Sequence, residues 1–253
     1  MSNPIKIKAT ISSIEQFGKD TYKLRFEPYG TVPKFKAGQF LHLAIDEYDP
    51  MGGFWPESRV FSIASAPGGE NIEILYSVRG QYTARMQSEL RVGSEVWLKL
   101  PYGTFVVDNF VHPGQDAVLI AGGTGISPFL PYLEAWAPAA RAGIESLPNK
   151  ISLYYGVREN KLLAALDILD RISDDSSFCA RIFVENEAPI YTDKSNVSFR
   201  RGKLAIKHIY EEAHALRDPV FFLSGPPAMI FSFKKELLDY GVVSENVVTD
   251  EWE

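Results

Sequence analysis

The chain has 253 residues, enough for one large domain or two of ordinary size. Hydrophobic residues make up 45% and charged residues 23%, the balance of a folded protein, and a formal net charge of −6 argues against nucleic-acid or anionic-membrane binding, both of which favour a basic face. Cys179 is the only cysteine, which excludes an internal disulfide and a thiolate-held iron–sulfur cluster, so any such cluster is expected on a separate chain.

The start, Met1-Ser2-Asn3-Pro4-Ile5-Lys6-Ile7-Lys8, breaks its apolar residues with charge, so no secretory signal is expected there. No apolar run approaches the roughly 20 residues of a membrane helix. The histidines stand at no metal-ligand spacing, so no metal site is expected, and the expected compartment is the cytoplasm.

From the N-terminus onward the first hundred residues read as β-structure. Ile5-Lys6-Ile7-Lys8 and Tyr22-Lys23-Leu24-Arg25-Phe26 alternate apolar with polar, as half-buried strands do. Further strands are predicted over residues 39–45, 60–65, 72–78 and 95–100, separated by Gly- and Pro-rich turns. One short helix is expected from Thr83 to about residue 90. Short strands with little helix suggest a small antiparallel barrel.

Within this half, Arg59-Val60-Phe61-Ser62 sets a cation, a ring and a hydroxyl on one strand, with Arg59 and Phe61 on one face and Ser62 on the other. Such a strand can pair a phosphate through guanidinium and lay a ring beside a planar ligand. Gly80-Gln81-Tyr82-Thr83 then opens the helix, with Thr83 expected as N-cap of an anion-binding helix start.

Near His112-Pro113-Gly114 the rhythm changes. Residues 117–121 form a continuous apolar run, suited to a strand buried on both faces. Behind it stands Ile120-Ala121-Gly122-Gly123-Thr124-Gly125-Ile126-Ser127-Pro128, a glycine turn that lets backbone N–H groups approach a phosphate. Ser127 is expected as N-cap and Pro128 as the first residue of the next helix. A strand over 150–155 leads to a helix carrying Leu162, Leu166 and Leu169 on one face. A strand over 181–185, a helix over 204–216, a strand over 220–223 and a helix over 228–240 follow, the last closed by Gly241 at C′. Residues 186–201 read as the longest irregular stretch. Strict alternation of strand and helix implies a parallel doubly wound sheet, whose carboxyl edge binds ligands. Ser224-Gly225-Pro226-Pro227 lies at that edge.

In this order the segments resemble the ferredoxin–NADP⁺ reductase superfamily. Arg59-Val60-Phe61-Ser62 resembles its Arg-x-Tyr-Ser/Thr flavin motif, and Gly80-Gln81-Tyr82-Thr83 its Gly-x-x-Ser/Thr phosphate motif. Pro101-Tyr102-Gly103-Thr104-Phe105 is similar to the segment that ends the family's barrel. Residues 122–128 resemble its nicotinamide-nucleotide loop, Tyr155-Gly156-Val157-Arg158 its Tyr-Gly-x-Arg strand end, and Ser224-Gly225-Pro226-Pro227-Ala228-Met229 its Cys-Gly-Pro-Pro-x-Met segment.

The resemblance implies a Greek-key flavin-binding barrel over residues 1–110 and an NAD(P)-binding α/β domain over 111–253. Arg59, Val60, Phe61 and Ser62 would contact the flavin, and the backbone of Val78, Arg79, Gly80, Gln81, Tyr82 and Thr83 its phosphate. The nucleotide would lie over Gly122, Gly123, Thr124, Gly125, Ile126, Ser127 and Pro128, with Arg158 and Gly225, Pro226, Pro227 and Met229. Phe61 and Ser224 depart from the family's tyrosine and cysteine. Near the nicotinamide, Ser224 is joined by Trp252 as the expected stacking ring and by Asp250 or Glu251 as the expected carboxylate.

The implied activity is hydride transfer from NADH or NADPH to FAD, with FMN as the alternative. Acid at the end of the 181–185 strand favours NADH, while Arg158 argues for NADPH. Three fates of the electrons are open: a separate ferredoxin-like protein or oxygenase, free flavin as substrate, or a non-catalytic electron-transfer subunit of a complex.

Overall fold

The computed structural model describes residues 3–141, 148 and 150–250, with the side chains of 137–141 left aside. Its first sheet contains β1 (Ile5–Phe17), β2 (Thr21–Pro28), β3 (Phe40–Ala44), β4 (Arg59–Ser62), β5 (Ile72–Ser77) and β6 (Glu95–Tyr102). Their order is β4-β3-β6-β1-β2-β5, with every pairing antiparallel. A bridge between Ile63 and Ile74 brings the two edge strands together and nearly closes a barrel.

Alternation explains its interior. In β2, Leu24 and Phe26 are fully buried, while Arg25 between them faces out and pairs with Glu73 of β5 at 2.7 Å. Ile11, Leu41, Leu43, Ile74 and Leu98 complete the same core. A register shift between Ile11 and Ser13 bends β1.

The second sheet contains β7 (Ala117–Gly122), β8 (Ile151–Val157), β9 (Phe178–Val184), β10 (Val197–Arg201), β11 (Val220–Ser224) and β12 (Val247–Thr249), in the order β10-β9-β8-β7-β11-β12 and wholly parallel. Every residue of β7 and β11 is buried, because helices cover both faces. Ala117, Leu119 and Ala121 pack with α2 (Phe129–Arg141) and α3 (Leu166–Ile172). Val118 and Ile120 face α4 (Ile206–Ala213) and α5 (Pro227–Asp239) instead. Strand order reverses between β7 and β11, so the crevice at their carboxyl ends is the topological switch point. Phe105, past the barrel's last strand, packs against Phe129 and Phe222 at 5.7 and 5.9 Å between ring centroids and joins the two halves.

Three expectations are corrected, and one strand was not anticipated. The barrel's helix, α1, spans Gln81–Glu89 with Gly80 as N-cap. Thr83 therefore stands at the third helical position, where its hydroxyl accepts N–H bonds from Arg79 and Gly80 at 2.9 and 3.1 Å. The helix expected through Leu162, Leu166 and Leu169 is divided: Leu162 ends a short 3₁₀ turn, and α3 begins at Leu166. The stretch 186–201 is not wholly irregular, since β10 occupies its end and Asn160 ties down its beginning. The Asn160 side chain donates to Ala188 O at 2.9 Å and accepts from the Ile190 N–H at 3.1 Å. Finally, β12 is an unanticipated edge strand, three residues long.

Candidate functional site

A cleft of about 1300 Å³ opens between the barrel and the switch point of the parallel sheet. Its barrel wall is built by β4, β5 and the start of α1, including Arg59, Val60, Phe61, Ser62, Arg79, Gly80, Gln81, Tyr82 and Thr83. Gly122, Thr124, Gly125 and Ser127 face them from the β7 turn, and Ser224, Gly225, Pro226, Pro227 and Asp250 from the β11–β12 edge. Segments far apart in sequence thus share one space, which exceeds the ~300–1,000 Å³ of a site for one drug-sized ligand.

On the barrel wall, Phe61 is buried in the core with its ring edge-on to Tyr76 at 6.0 Å, and Ser62 is buried beside it. Arg59 stays exposed. Its guanidinium pairs with Glu57 at 2.8 Å and lies 4.9 Å from the centre of the Tyr82 ring. Tyr82 is scaffold as well as wall: its hydroxyl donates to Leu43 O at 2.7 Å and accepts from the Ile45 N–H at 3.1 Å. Burial raises its pKa to about 12, so the ring stays neutral beneath Arg59.

The phosphate cradle expected from the backbone of Val78 through Thr83 is narrower than that. The Val78 amide donates to Asp20 O at 2.8 Å, and those of Arg79 and Gly80 are taken by Thr83. The amides of Gln81, Tyr82 and Thr83 belong to the first turn of α1, which has no intrahelical partners, so the positive end of that helix is what faces the cleft.

Across the cleft, the β7 and β11 turns touch backbone to backbone. A Cβ at Gly125 would lie 2.4 Å from Ser224 O and 2.5 Å from the Gly225 nitrogen, so no side chain fits. A Cβ at Gly122 would meet Met229 Sδ at 2.8 Å and Pro226 Cδ at 2.9 Å. Met229 therefore supports the turn from behind and does not reach the cleft wall. Gly123, Ile126 and Pro128 also lie off it, with Ile126 in the hydrophobic core.

Ser127 is not the N-cap expected for α2. Its buried hydroxyl donates to Thr124 O at 2.7 Å and closes a 3₁₀ turn (Gly123–Ile126), and α2 starts only at Phe129. Ser224, almost fully buried, donates to Asp250 Oδ2 at 2.8 Å. Asp250 is held there because its amide bonds Leu223 O at 2.9 Å, just past β12. Of the two carboxylates expected from the sequence, Asp250 lies on the cleft wall, and Glu251 and Trp252 lie outside the described residues.

Arg158 is exposed past the end of β8 and off the cleft wall. The acids expected near the adenosine are already engaged. Glu185 pairs with Lys203 at 3.0 Å, and Glu187 accepts the Asn160 N–H at 2.5 Å. Sequence reasoning missed Leu75, Tyr76, Ser77, Arg85 and, on α5, Ile230, Phe231 and Lys234, all on the cleft wall. The α5 residues carried a readable signal, since Pro227, Ile230, Phe231 and Lys234 recur at the spacing of one helix face. Among the described residues no helix is long and apolar enough to cross a membrane.

Residues 119–235 match the family model of the oxidoreductase NAD-binding domain. The chain is 30% identical over 191 residues to an NAD(P)H-flavin reductase of Vibrio harveyi, covering 72% of this chain and 73% of that protein. It is 27% identical to the electron transfer component of a 2-halobenzoate 1,2-dioxygenase from Burkholderia cepacia, covering 83% of this chain and 56% of the relative. The chain spans between about half and two thirds of the length of the first curated relatives it matches. A ferredoxin NADP⁺ reductase from Neisseria gonorrhoeae, solved with bound FAD and NADP, shares the fold at a TM-score of 0.72 and 21% identity, over 98% of each chain. With barrel, switch-point turns and glycine loop arranged as above, the chain belongs to the ferredoxin–NADP⁺ reductase superfamily.

Proposed function

We propose that this protein is an NAD(P)H-dependent flavoprotein reductase, with residues 1–110 as the flavin-binding barrel and residues 111–253 as the nucleotide-binding domain. The observation that carries the reading is that Arg59–Ser62 and the α1 N-terminus face the β7 and β11 turns across one cleft. The residues fit a flavin on one wall, with cations at Arg59 and Arg79 and the first-turn amides of α1 for its phosphate. They fit a nicotinamide nucleotide on the other, where glycine turns bring backbone close to a ligand. When bound, the flavin would supply hydride acceptance from the reduced nicotinamide and onward release of electrons singly or in pairs.

The chain's own part is to hold and orient. Arg59 anchors phosphate from an exposed position where its partner Glu57 can be exchanged for ligand. Gly122 and Gly125 set the nucleotide's approach. Ser224 and Asp250 present a fixed hydroxyl–carboxylate pair at the switch point, which would orient a ring bound there. We assign onward transfer to a separate acceptor of the ferredoxin or oxygenase class, supported by the electron-transfer relatives. A second reading, reduction of free flavin, is supported by the similarity to the Vibrio harveyi flavin reductase.

The visible spectrum of the purified chain, taken anaerobically before and after NADH or NADPH, tests the proposal. Bands that bleach support it, and a chain that stays colourless after incubation with FAD and FMN refutes it. Flavin retained through gel filtration favours the separate acceptor; flavin lost there while added flavin turns over favours the second reading.

A further inference from the structure

The α5 face that sequence reasoning missed closes the cleft against the barrel. Pro227, Ile230, Phe231 and Lys234 line it at helical spacing. Met229 points elsewhere, into the β7 turn, and Phe233 and Leu237 pack beneath the sheet. Phe231 differs from these neighbours. It is 75% exposed, among the most exposed large apolar side chains described, yet it stands on the wall of a cleft otherwise lined by ligand-binding elements. An aromatic ring held on a helix and left uncovered is a platform for another flat ring. The cations of Lys234, one turn further along α5, and of Arg79 on the opposite wall suit a phosphate lying between the two.

We propose that Phe231 is the stacking platform for the adenine of a flavin dinucleotide, so that this site selects FAD over FMN through a residue of the nucleotide-binding half. The inference rests on the flavin reading above. FMN lacks the adenylate and reaches only the barrel wall, whereas FAD spans the cleft to α5. The size of the cleft is consistent with a dinucleotide lying across it. Because the adenine would bridge the two halves, the same contact ties the helix after the Ser224 turn to the barrel.

The test is titration of the flavin-depleted full chain with FAD and with FMN, read by flavin fluorescence, for wild type, Phe231→Ala, Phe231→Leu and Phe231→Trp. Base–aromatic stacking predicts a roughly tenfold loss of FAD affinity in the alanine and leucine variants, retention in the tryptophan variant, and FMN affinity unchanged throughout. Since Phe231 is exposed, its replacement leaves the denaturation midpoint unchanged. Equal losses for FAD and FMN, or no loss for either, overturn the assignment while leaving the flavin site standing. A wild-type chain that binds neither flavin overturns both this inference and the reading beneath it.

Discussion

The Ser224 hydroxyl, at the carboxyl end of β11, donates a 2.8 Å hydrogen bond to the Asp250 carboxylate, 26 residues later and just beyond β12. The pair sits on the cleft wall at the switch point. A buried hydroxyl bonded to a carboxylate has a fixed orientation, so what it presents to a ligand is set by the fold.

Removing that hydroxyl should therefore act on catalysis more than on cofactor retention. Ser224→Ala is expected to slow flavin reduction about tenfold, equivalent to ~1.4 kcal/mol of barrier, with the flavin-to-protein ratio unchanged. Stopped-flow reduction and the flavin absorbance of the same preparation measure the two quantities. Equal rates in variant and wild type would remove Ser224 from the machinery.

Gly125 allows no such separation. A Cβ there would fall 2.4 Å from the Ser224 carbonyl oxygen, and backbone cannot swing aside as a side chain can. Gly125→Ala is expected to cost roughly 1–3 kcal/mol by overpacking and to weaken nucleotide binding at the same time. Urea midpoints and nicotinamide-nucleotide titrations should move together.

Arg59 predicts the reverse pattern. Its ion pair with Glu57 leaves both side chains about half exposed, and such pairs contribute about 0–1 kcal/mol. Arg59→Ala should leave thermal stability within that range while lowering the flavin content of the purified chain. A variant with full flavin occupancy would show that the phosphate is anchored elsewhere.

The barrel carries its own pH sensitivity. His42 packs edge-on to Tyr102 at 4.8 Å, and burial, reinforced by Lys99, lowers its pKa below the ordinary 6.5. The folded state thus prefers the neutral ring. The stability this contributes is fully present above the unfolded-state value of 6.5 and is lost as pH falls below it toward the folded value. Urea midpoints should drop as pH falls below 6.5 in wild type, and less steeply in His42→Gln. A parallel drop in the variant would place the acid sensitivity on other groups.

Much of this architecture was legible because it rests on periodicity and on local turn chemistry. Alternation in Thr21–Pro28 and the unbroken apolar run of Ala117–Gly122 each have one packing solution, and those strands fall within a few residues of their expected places. The ordered motifs pointed to a shared site, and the cleft joins most of them. Where the reading failed, a competing contact decided the outcome. Thr83 and Ser127 are good N-cap types, but each found a different partner nearby: Thr83 the amides before it, Ser127 a carbonyl of its own turn. The edge strand Val247–Thr249 is too short to show a period, and it exists because β11 offers it a ladder.

By itself the sequence determined the two rhythms, the change between them near His112-Pro113-Gly114, and the residue types at each turn. These follow from side-chain alternation and from glycine's freedom, which act over a few neighbours. Only the tertiary structure decided which amides remain for a phosphate, that Asp250 reaches Ser224, and that Phe231 faces the barrel. Ser224 and Asp250 are 26 residues apart, and the cleft sets α5 opposite barrel strands far earlier in the chain, distances that no local pattern encodes.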